Sequence, residues 1–236
     1  MPAPTPADLA DLHALRDTYL ASKAALLDTL PTSLAASRSI HVRLRKLSAL
    51  TSTLLCTLWR RAGMPHNTAL LAVGGFGRNQ LFPYSDVDVL LLLPGNTTAA
   101  DASAVQPPIE TFIQSCWDVG LEIGASVRTV GECLREAALD VTVQTSLLES
   151  RRVCGNTALA THFQQQFMAH LDARAFLVAK TLEMQQRHTK YEDTPYALEP
   201  NCKESPGGLR DLQMILWVTR AAGLGDSWRA LEGSGL

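Results

Sequence analysis

GGFGRNQLFPYSDVDVLLLL, residues Gly74 to Leu93, sets paired glycines and a polar turn ahead of two aspartates and a run of leucines. The residues just before it, Leu70 to Val73, read as a short buried strand that ends in the glycines. Gly74 and Gly75 lack a Cβ, so the backbone can turn sharply and a ligand can approach within contact distance. Phe76 to Leu81, with Gly77 in the same turn, is expected to form a short helix whose free N–H groups suit an anion such as phosphate. No Gly-Lys-Ser/Thr follows, which excludes a P-loop, and the GxGxxG of a dinucleotide fold is not satisfied.

Pro83-Tyr84-Ser85 then reverses the chain into a second strand, Val87 to Leu93, which Pro94-Gly95-Asn96 stops. Asp86 and Asp88 lie two apart and therefore point to the same face of a strand. A strand this rich in Val and Leu is expected to be buried on both faces, where two uncompensated carboxylates are costly. Divalent cations relieve that cost, and Mg²⁺ favours one or two carboxylates completed by phosphate oxygens and water. Two such ions roughly 3.5–4 Å apart clamp the attacking and leaving oxygens of an in-line phosphoryl displacement. A glycine turn for a triphosphate, with Asp86 and Asp88 for metal, is the equipment of nucleotidyl transfer. A lone Asp-x-Asp is usually a solvated edge and a lone Gly-Gly usually a plain turn; their order and closeness here favour the site.

Neighbouring residues carry two readings each. Ser85 suits a contact to phosphate or metal, and equally a cap on its own turn. Arg78 suits a phosphate, and equally a structural pair with a nearby carboxylate. A third acid for the incoming hydroxyl is best sought at Glu122, on an expected third strand. Asp118 and Asp140 are rivals, and Asp140 also suits a helix cap.

Outward from this centre, apolar spacing predicts helices over 7–30 and 33–62, separated by Pro31. The stretch from Asn96 to Pro108 is poor in large apolar residues and holds Pro107-Pro108, so it reads as a surface loop. A helix is expected from Ile109 to Trp117 and a third strand from Leu121 to Thr129. Beyond Gly131 the chain reads as helical through Leu148, Phe163 and Met184. Tyr191 to Gly208 reads as loop, and Leu209 to Ala222 as a final amphipathic helix. The expected fold is α+β: a small mixed sheet core over 67–152, with helical segments over 1–66 and 153–236.

A second stretch, EPNCKESPGGLRDLQ (Glu199 to Gln213), places Lys203 and Arg210 around a Gly207-Gly208 helix start. It reads either as a second anion site over the nucleotide or as a tight loop docking the last helix.

Composition narrows the function classes. The chain has 236 residues, 46% of them apolar, and a net charge of −2, with Lys and Arg dispersed. A nucleic-acid partner has no support in that pattern. No apolar run reaches the roughly 20 residues of a bilayer crossing, and the N-terminus lacks a secretion signal. The five cysteines form no CxxC pair, and an odd number argues against a disulfide framework. The expectation is a reduced, cytoplasmic protein, in which the Asn96-Thr97-Thr98 sequon is chance.

Together, Gly74-Gly-Phe-Gly-Arg78, Phe82-Pro-Tyr-Ser-Asp-Val-Asp88 and the following leucines resemble the DNA polymerase β-like nucleotidyltransferase superfamily. Within it the chain resembles the bacterial PII uridylyltransferase/uridylyl-removing family. Trp117 to Gly124 with Ser126-Val-Arg-Thr129, Leu147 to Arg151, and Asn201 to Asp211 carry the likeness across nearly the whole sequence. The resemblance implies a polymerase β-like core that transfers UMP from UTP to a tyrosine hydroxyl of the PII signalling protein, with Mg²⁺ or Mn²⁺, releasing pyrophosphate. It assigns the triphosphate to Gly74 and Gly75 and the metal to Asp86 and Asp88. Members of that family also carry a metal-dependent HD hydrolase domain and ACT sensor domains. No histidine here is followed by Asp, and the chain is expected to be the transferase portion alone, truncated. Ala125 stands where the family has histidine, and Asn79 where glycine is common. Two other readings stay open: an adenylyltransferase acting on another protein such as glutamine synthetase, and an inactive remnant that binds nucleotide or PII.

Overall fold

The computed structural model describes residues 6–28, 37–95, 99–191, 199 and 201–234. They form two compact units: Met1–Cys133 with Glu149–Gln164, and Leu134–Leu148 with Gln165–Leu236.

The first unit is an α+β layer built on one four-stranded mixed sheet. Its elements begin with α1 (Pro6–Asp28), α2 (Ser37–Arg61), β1 (Ala69–Ala72) and a single helical turn, α3 (Gly74–Gly77). They continue with β2 (Val87–Leu93), α4 (Ala99–Asp118), β3 (Ile123–Thr129) and β4 (Arg151–Gly155). The spatial order is β3-β2-β1-β4. β1 is antiparallel to β2 and β4, while β2 and β3 run parallel. A parallel pair needs a crossover, and α4 supplies it.

Burial explains the leucine run. Leu90, Leu91 and Leu92 are wholly inaccessible, as are Ala69 to Ala72 on β1. Leu70, Ala72, Val87, Val89 and Leu91 join a core made with Leu12, Leu55, Leu58, Trp59, Ile109 and Phe112 of the helices. Trp59 and Phe112 meet edge to face with centroids 5.5 Å apart, a geometry that their ring quadrupoles favour. Period two places Asp88 on the opposite face of β2 from Val87 and Val89, and there it is exposed.

Three expectations are corrected. Residues 99–108 are not a loop: α4 runs through Pro107 and Pro108. Val105, Ile109, Phe112 and Cys116 fall at helical spacing on its buried side. Burial of that stripe outweighs the hydrogen bonds that the prolines remove. The stretch read as helix beyond Gly131 contains β4, which pairs with β1 at the sheet edge. The expected short helix over 76–81 is instead one turn starting at Gly74, and Asn79 closes it with a positive φ of 60°. The expected separator Pro31 lies outside the described residues.

The second unit holds α6 (Val141–Leu148), α8 (Ala173–Lys190), α9 (Leu209–Ala221) and α10 (Trp228–Ser234). α5 (Val130–Leu139) and α7 (Thr157–His170) each begin in the first unit and end in the second. No described helix is long and apolar enough to cross a membrane.

Candidate active site

The glycine turn is fixed from three sides. Gly74 takes a φ of +55°, a region that residues with a Cβ rarely enter. Gly77 is glycine for a packing reason: a Cβ there would lie 2.1 Å from the Glu149 carbonyl oxygen and 3.1 Å from that of Ala72. Below the turn, Phe76 is buried, and the Arg151 guanidinium stacks over its ring at 5.3 Å. Arg151 Nη2 also donates to the Phe76 carbonyl at 3.3 Å. Beyond the turn, the Leu81 N–H donates to Ser48 Oγ at 3.1 Å, which ties the returning chain to α2.

Arg78 donates through Nη1 to Glu149, whose side chain is only 3% exposed, and through Nε to Gln80 Oε1 at 3.2 Å. The pair sets the end of the turn against the segment that leads into β4. Removing one member of a buried pair costs far more than the pair itself contributes, because a desolvated charge is left behind. Arg78→Met is therefore expected to lower the stability of this unit by about 3 kcal/mol. A urea melt followed by tryptophan fluorescence checks it. An unchanged midpoint contradicts the structural role.

Asp88 lies where the turn and the parallel pair meet. The Val73 N–H donates to its carbonyl at 3.1 Å. Its Oδ2 is 3.8 Å from where a Cβ on Gly74 would sit, and its Oδ1 is 2.5 Å from where one on Gly124 would sit. Gly124 is the register partner of Asp88 on β3. The carboxylate thus occupies space that two glycines leave open, one on each side. Extending the same register by two residues sets Asp86 opposite Glu122, and the Val87 N–H donates to the Glu122 carbonyl at 2.7 Å.

Asp86, Glu122, Gly124 and the half-exposed Trp117 line an open depression of about 500 Å³. Asp86, Asp88 and Glu122 are all exposed. Among the described residues, no three His, Cys, Asp or Glu side chains converge closely enough to hold a metal ion. Both aspartates offer hard oxygen donors only, Asp88 beside Gly74 and Gly124 and Asp86 on the depression. Ser85 is exposed, and its N–H donates to the Phe82 carbonyl at 3.2 Å, within the local turn.

The rival acids are engaged elsewhere. Asp118 accepts from Gln114 Nε2 at 2.9 Å, one turn back on α4. Asp140 caps α6 by accepting from the Thr142 N–H at 2.6 Å, and this bond holds its carboxyl below the usual range.

Lys203 and Arg210 belong to the second unit. Asn201 Oδ1 accepts from the N–H groups of Lys203 and Glu204, both at 3.0 Å, forming an Asx turn. Asp211 accepts from the Gly207 N–H at 2.7 Å, from Arg187 Nη2 at 2.6 Å and from His188 Nε2 at 2.9 Å. Arg210 bonds Glu204 at 3.2 Å and covers the Trp217 ring at 5.6 Å. Lys203 keeps its side chain largely in solvent. The loop is thus docked onto α8 and α9 by charge-assisted bonds.

Sequence reasoning passed over Trp117, Glu149 and the packing role of Gly124. A glycine inside a strand does signal close approach; no local pattern reveals that Glu149 returns to meet Arg78.

Residues 175–236 match the family model described as GlnD PII-uridylyltransferase. A bifunctional uridylyltransferase/uridylyl-removing enzyme of Burkholderia pseudomallei (strain K96243) is 56% identical over 218 residues, 92% of this chain and 24% of the relative. Enzymes of the same description from Burkholderia mallei (strain SAVP1) and Burkholderia thailandensis are each 55% identical over the same shares. The chain spans about a quarter of the length of these relatives. This identity over nearly its whole length, on a small mixed sheet with a glycine turn beside Asp88, matches the chain to a segment of the GlnD PII-uridylyltransferase family.

Proposed function

We propose that this chain carries the nucleotidyl-transferring centre of a PII uridylyltransferase. It would take UTP, hand UMP to a tyrosine hydroxyl of the PII protein and release pyrophosphate. The observation that carries the reading is the position of Asp88, whose two carboxylate oxygens face the open sides of Gly74 and Gly124. Among the described residues, no other charged side chain of the unit lies against two glycines in this way.

Asp86 and Asp88 would hold Mg²⁺ or Mn²⁺. The donor set fits: two exposed carboxylates suit a hard cation that takes its remaining ligands from phosphate and water. When bound, such an ion neutralises charge on the triphosphate and polarises the phosphoryl group. The protein's own contribution is placement. Gly74 and Gly75 give the phosphates access to backbone N–H groups at the turn. Gly77, held against Glu149, keeps that turn from drifting. Arg78 is bonded to Glu149, so a phosphate would have to share it. Glu122, which lines the same depression as Asp86, would accept the proton of the incoming tyrosine hydroxyl. The backbone N–H of Ser85 closes the turn that delivers Asp86.

Thermal unfolding in the presence of Mg²⁺ tests the nucleotide. Saturation at a hundred times Kd stabilises by about 2.7 kcal/mol, or roughly 5–10 °C for a chain of this size. UTP is expected to raise the midpoint by that amount, and ATP by much less. Equal protection by ATP would turn the reading toward adenylyl transfer, and protection by neither would remove it.

A further inference from the structure

Away from the glycine–aspartate site, Cys56 on α2 and Cys154 on β4 bring two thiols together. The register between β1 and β4 shifts between Leu70 and Leu71, which pair with Cys154 and Arg152. Val153 is the extra residue of this bulge, and a bulge releases a carbonyl from the ladder. Cys56 Sγ–H donates to the Val153 carbonyl at 3.5 Å. Cys154, the next residue, packs against the core that holds Leu54, Leu55 and Leu58 of α2.

The charged groups around the pair are all cationic: Arg60 from α2, and Arg151 and Arg152 from β4. β1, the third neighbouring element, contributes only Ala69, Leu70, Leu71 and Ala72. Arg60 is held in place by a bond from Nε to the Cys56 carbonyl at 3.1 Å. The Cys154 thiol, reinforced by these arginines, outweighs burial and lowers Cys56 to about 7. Cys56, followed by burial, pushes Cys154 far up. Both residues are half-buried, within reach of a small oxidant. Cys116 and Cys133 are fully buried, and desolvation pushes each up to about 12.

We propose that Cys56 and Cys154 form an oxidisable dithiol, with Cys56 as the peroxide-reactive nucleophile and Cys154 as the resolving thiol. In the first step the Cys56 thiolate attacks one oxygen of hydrogen peroxide. A sulfur–oxygen bond forms, the oxygen–oxygen bond breaks, and hydroxide leaves to take up a proton as water. In the second step Cys154 sulfur attacks the Cys56 sulfenic acid. The sulfur–sulfur bond forms, the sulfur–oxygen bond breaks, and a second water departs. Two thiols lose two electrons and two protons, and one peroxide is reduced to two waters. The disulfide staples α2 to β4, the strand whose Arg151 supports the glycine turn through Phe76.

The test treats the reduced full chain with one equivalent of hydrogen peroxide at pH 7, followed by non-reducing digestion and mass spectrometry. The expected product is the Cys56 peptide joined to the Cys154 peptide and lighter by two hydrogens, with Cys116 and Cys133 unmodified. In Cys154→Ser, the sulfenic acid of Cys56 is expected to be trapped by dimedone. In the parental chain, iodoacetamide is expected to alkylate Cys56 with a pH midpoint near 7 and, at pH 7, roughly threefold faster than an ordinary free thiol. That factor combines a roughly 15-fold gain in thiolate with a roughly fivefold loss of nucleophilicity. Unlinked Cys56 and Cys154, a link to Cys202 instead, or a Cys56 profile matching free cysteine would overturn the proposal.

Discussion

Asp88→Ala is expected to slow UMP transfer from UTP to PII by about 10³-fold, because charge stabilisation at a phosphoryl centre is the largest single contribution such a site makes. The same change should barely alter the fold. Asp88 is exposed on β2, and substitutions at exposed positions usually stay within about 0.5 kcal/mol. Activity and stability therefore separate at this residue. Radiolabelled UTP with PII gives the first quantity, and a thermal melt of the same preparation gives the second. Transfer at the parental rate would sink the assignment of Asp88. A melt that collapses together with the rate would instead make it a structural acid.

Gly124→Ala and Gly77→Ala form the second and sharper comparison. Both add a methyl group where the structure leaves none, but they strike different things. At Gly124 the new Cβ would meet Asp88 Oδ1 at 2.5 Å, the far end of a side chain that can swing away. At Gly77 it would meet the Glu149 carbonyl oxygen at 2.1 Å, which is backbone and cannot swing. Gly124→Ala is expected to leave the melt nearly unchanged and to cut transfer by about 10²-fold, since a carboxylate displaced by an ångström loses its productive geometry. Gly77→Ala is expected to destabilise the unit by about 3 kcal/mol through overpacking. Parallel melts and rate measurements on the two variants decide it. A stable but active Gly124→Ala would show that the Asp88 position observed here is not the working one.

Much of the fold could be read from local pattern, and the exceptions have physical causes. The heptad-like leucines of α2 and the unbroken apolar run of β2 are strong because their burial is nearly complete: Leu55, Leu58 and Leu90 to Leu92 are inaccessible. β4 was hidden because Arg151, Arg152 and Gly155 are not strand formers. Their pairing with β1 is a long-range contact that local propensity does not encode. Pro107-Pro108 misled for the opposite reason. A strong local breaker was overridden by the stripe of Val105, Ile109, Phe112 and Cys116 packed beneath it.

At the candidate site, the nearness of Asp88 to Gly74 follows from β1 and β2 being antiparallel neighbours joined by the connection over residues 73–86, so one window of sequence contained it. The third element did not fit in that window. Gly124 faces Asp88 only because α4 returns β3 parallel to β2. Glu149 reaches Arg78 across 71 residues of chain. The docking of the Asn201 to Asp211 loop likewise depends on Arg187 and His188 of a different helix.

Calorimetric titration of UTP into the 236-residue chain, with and without Mg²⁺, tests the central claim most directly when repeated on Asp86→Asn/Asp88→Asn. Binding heat that appears only with the metal, and disappears in the double variant, is the predicted result. Undiminished binding after chelation, or in the doubly neutralised protein, would contradict it.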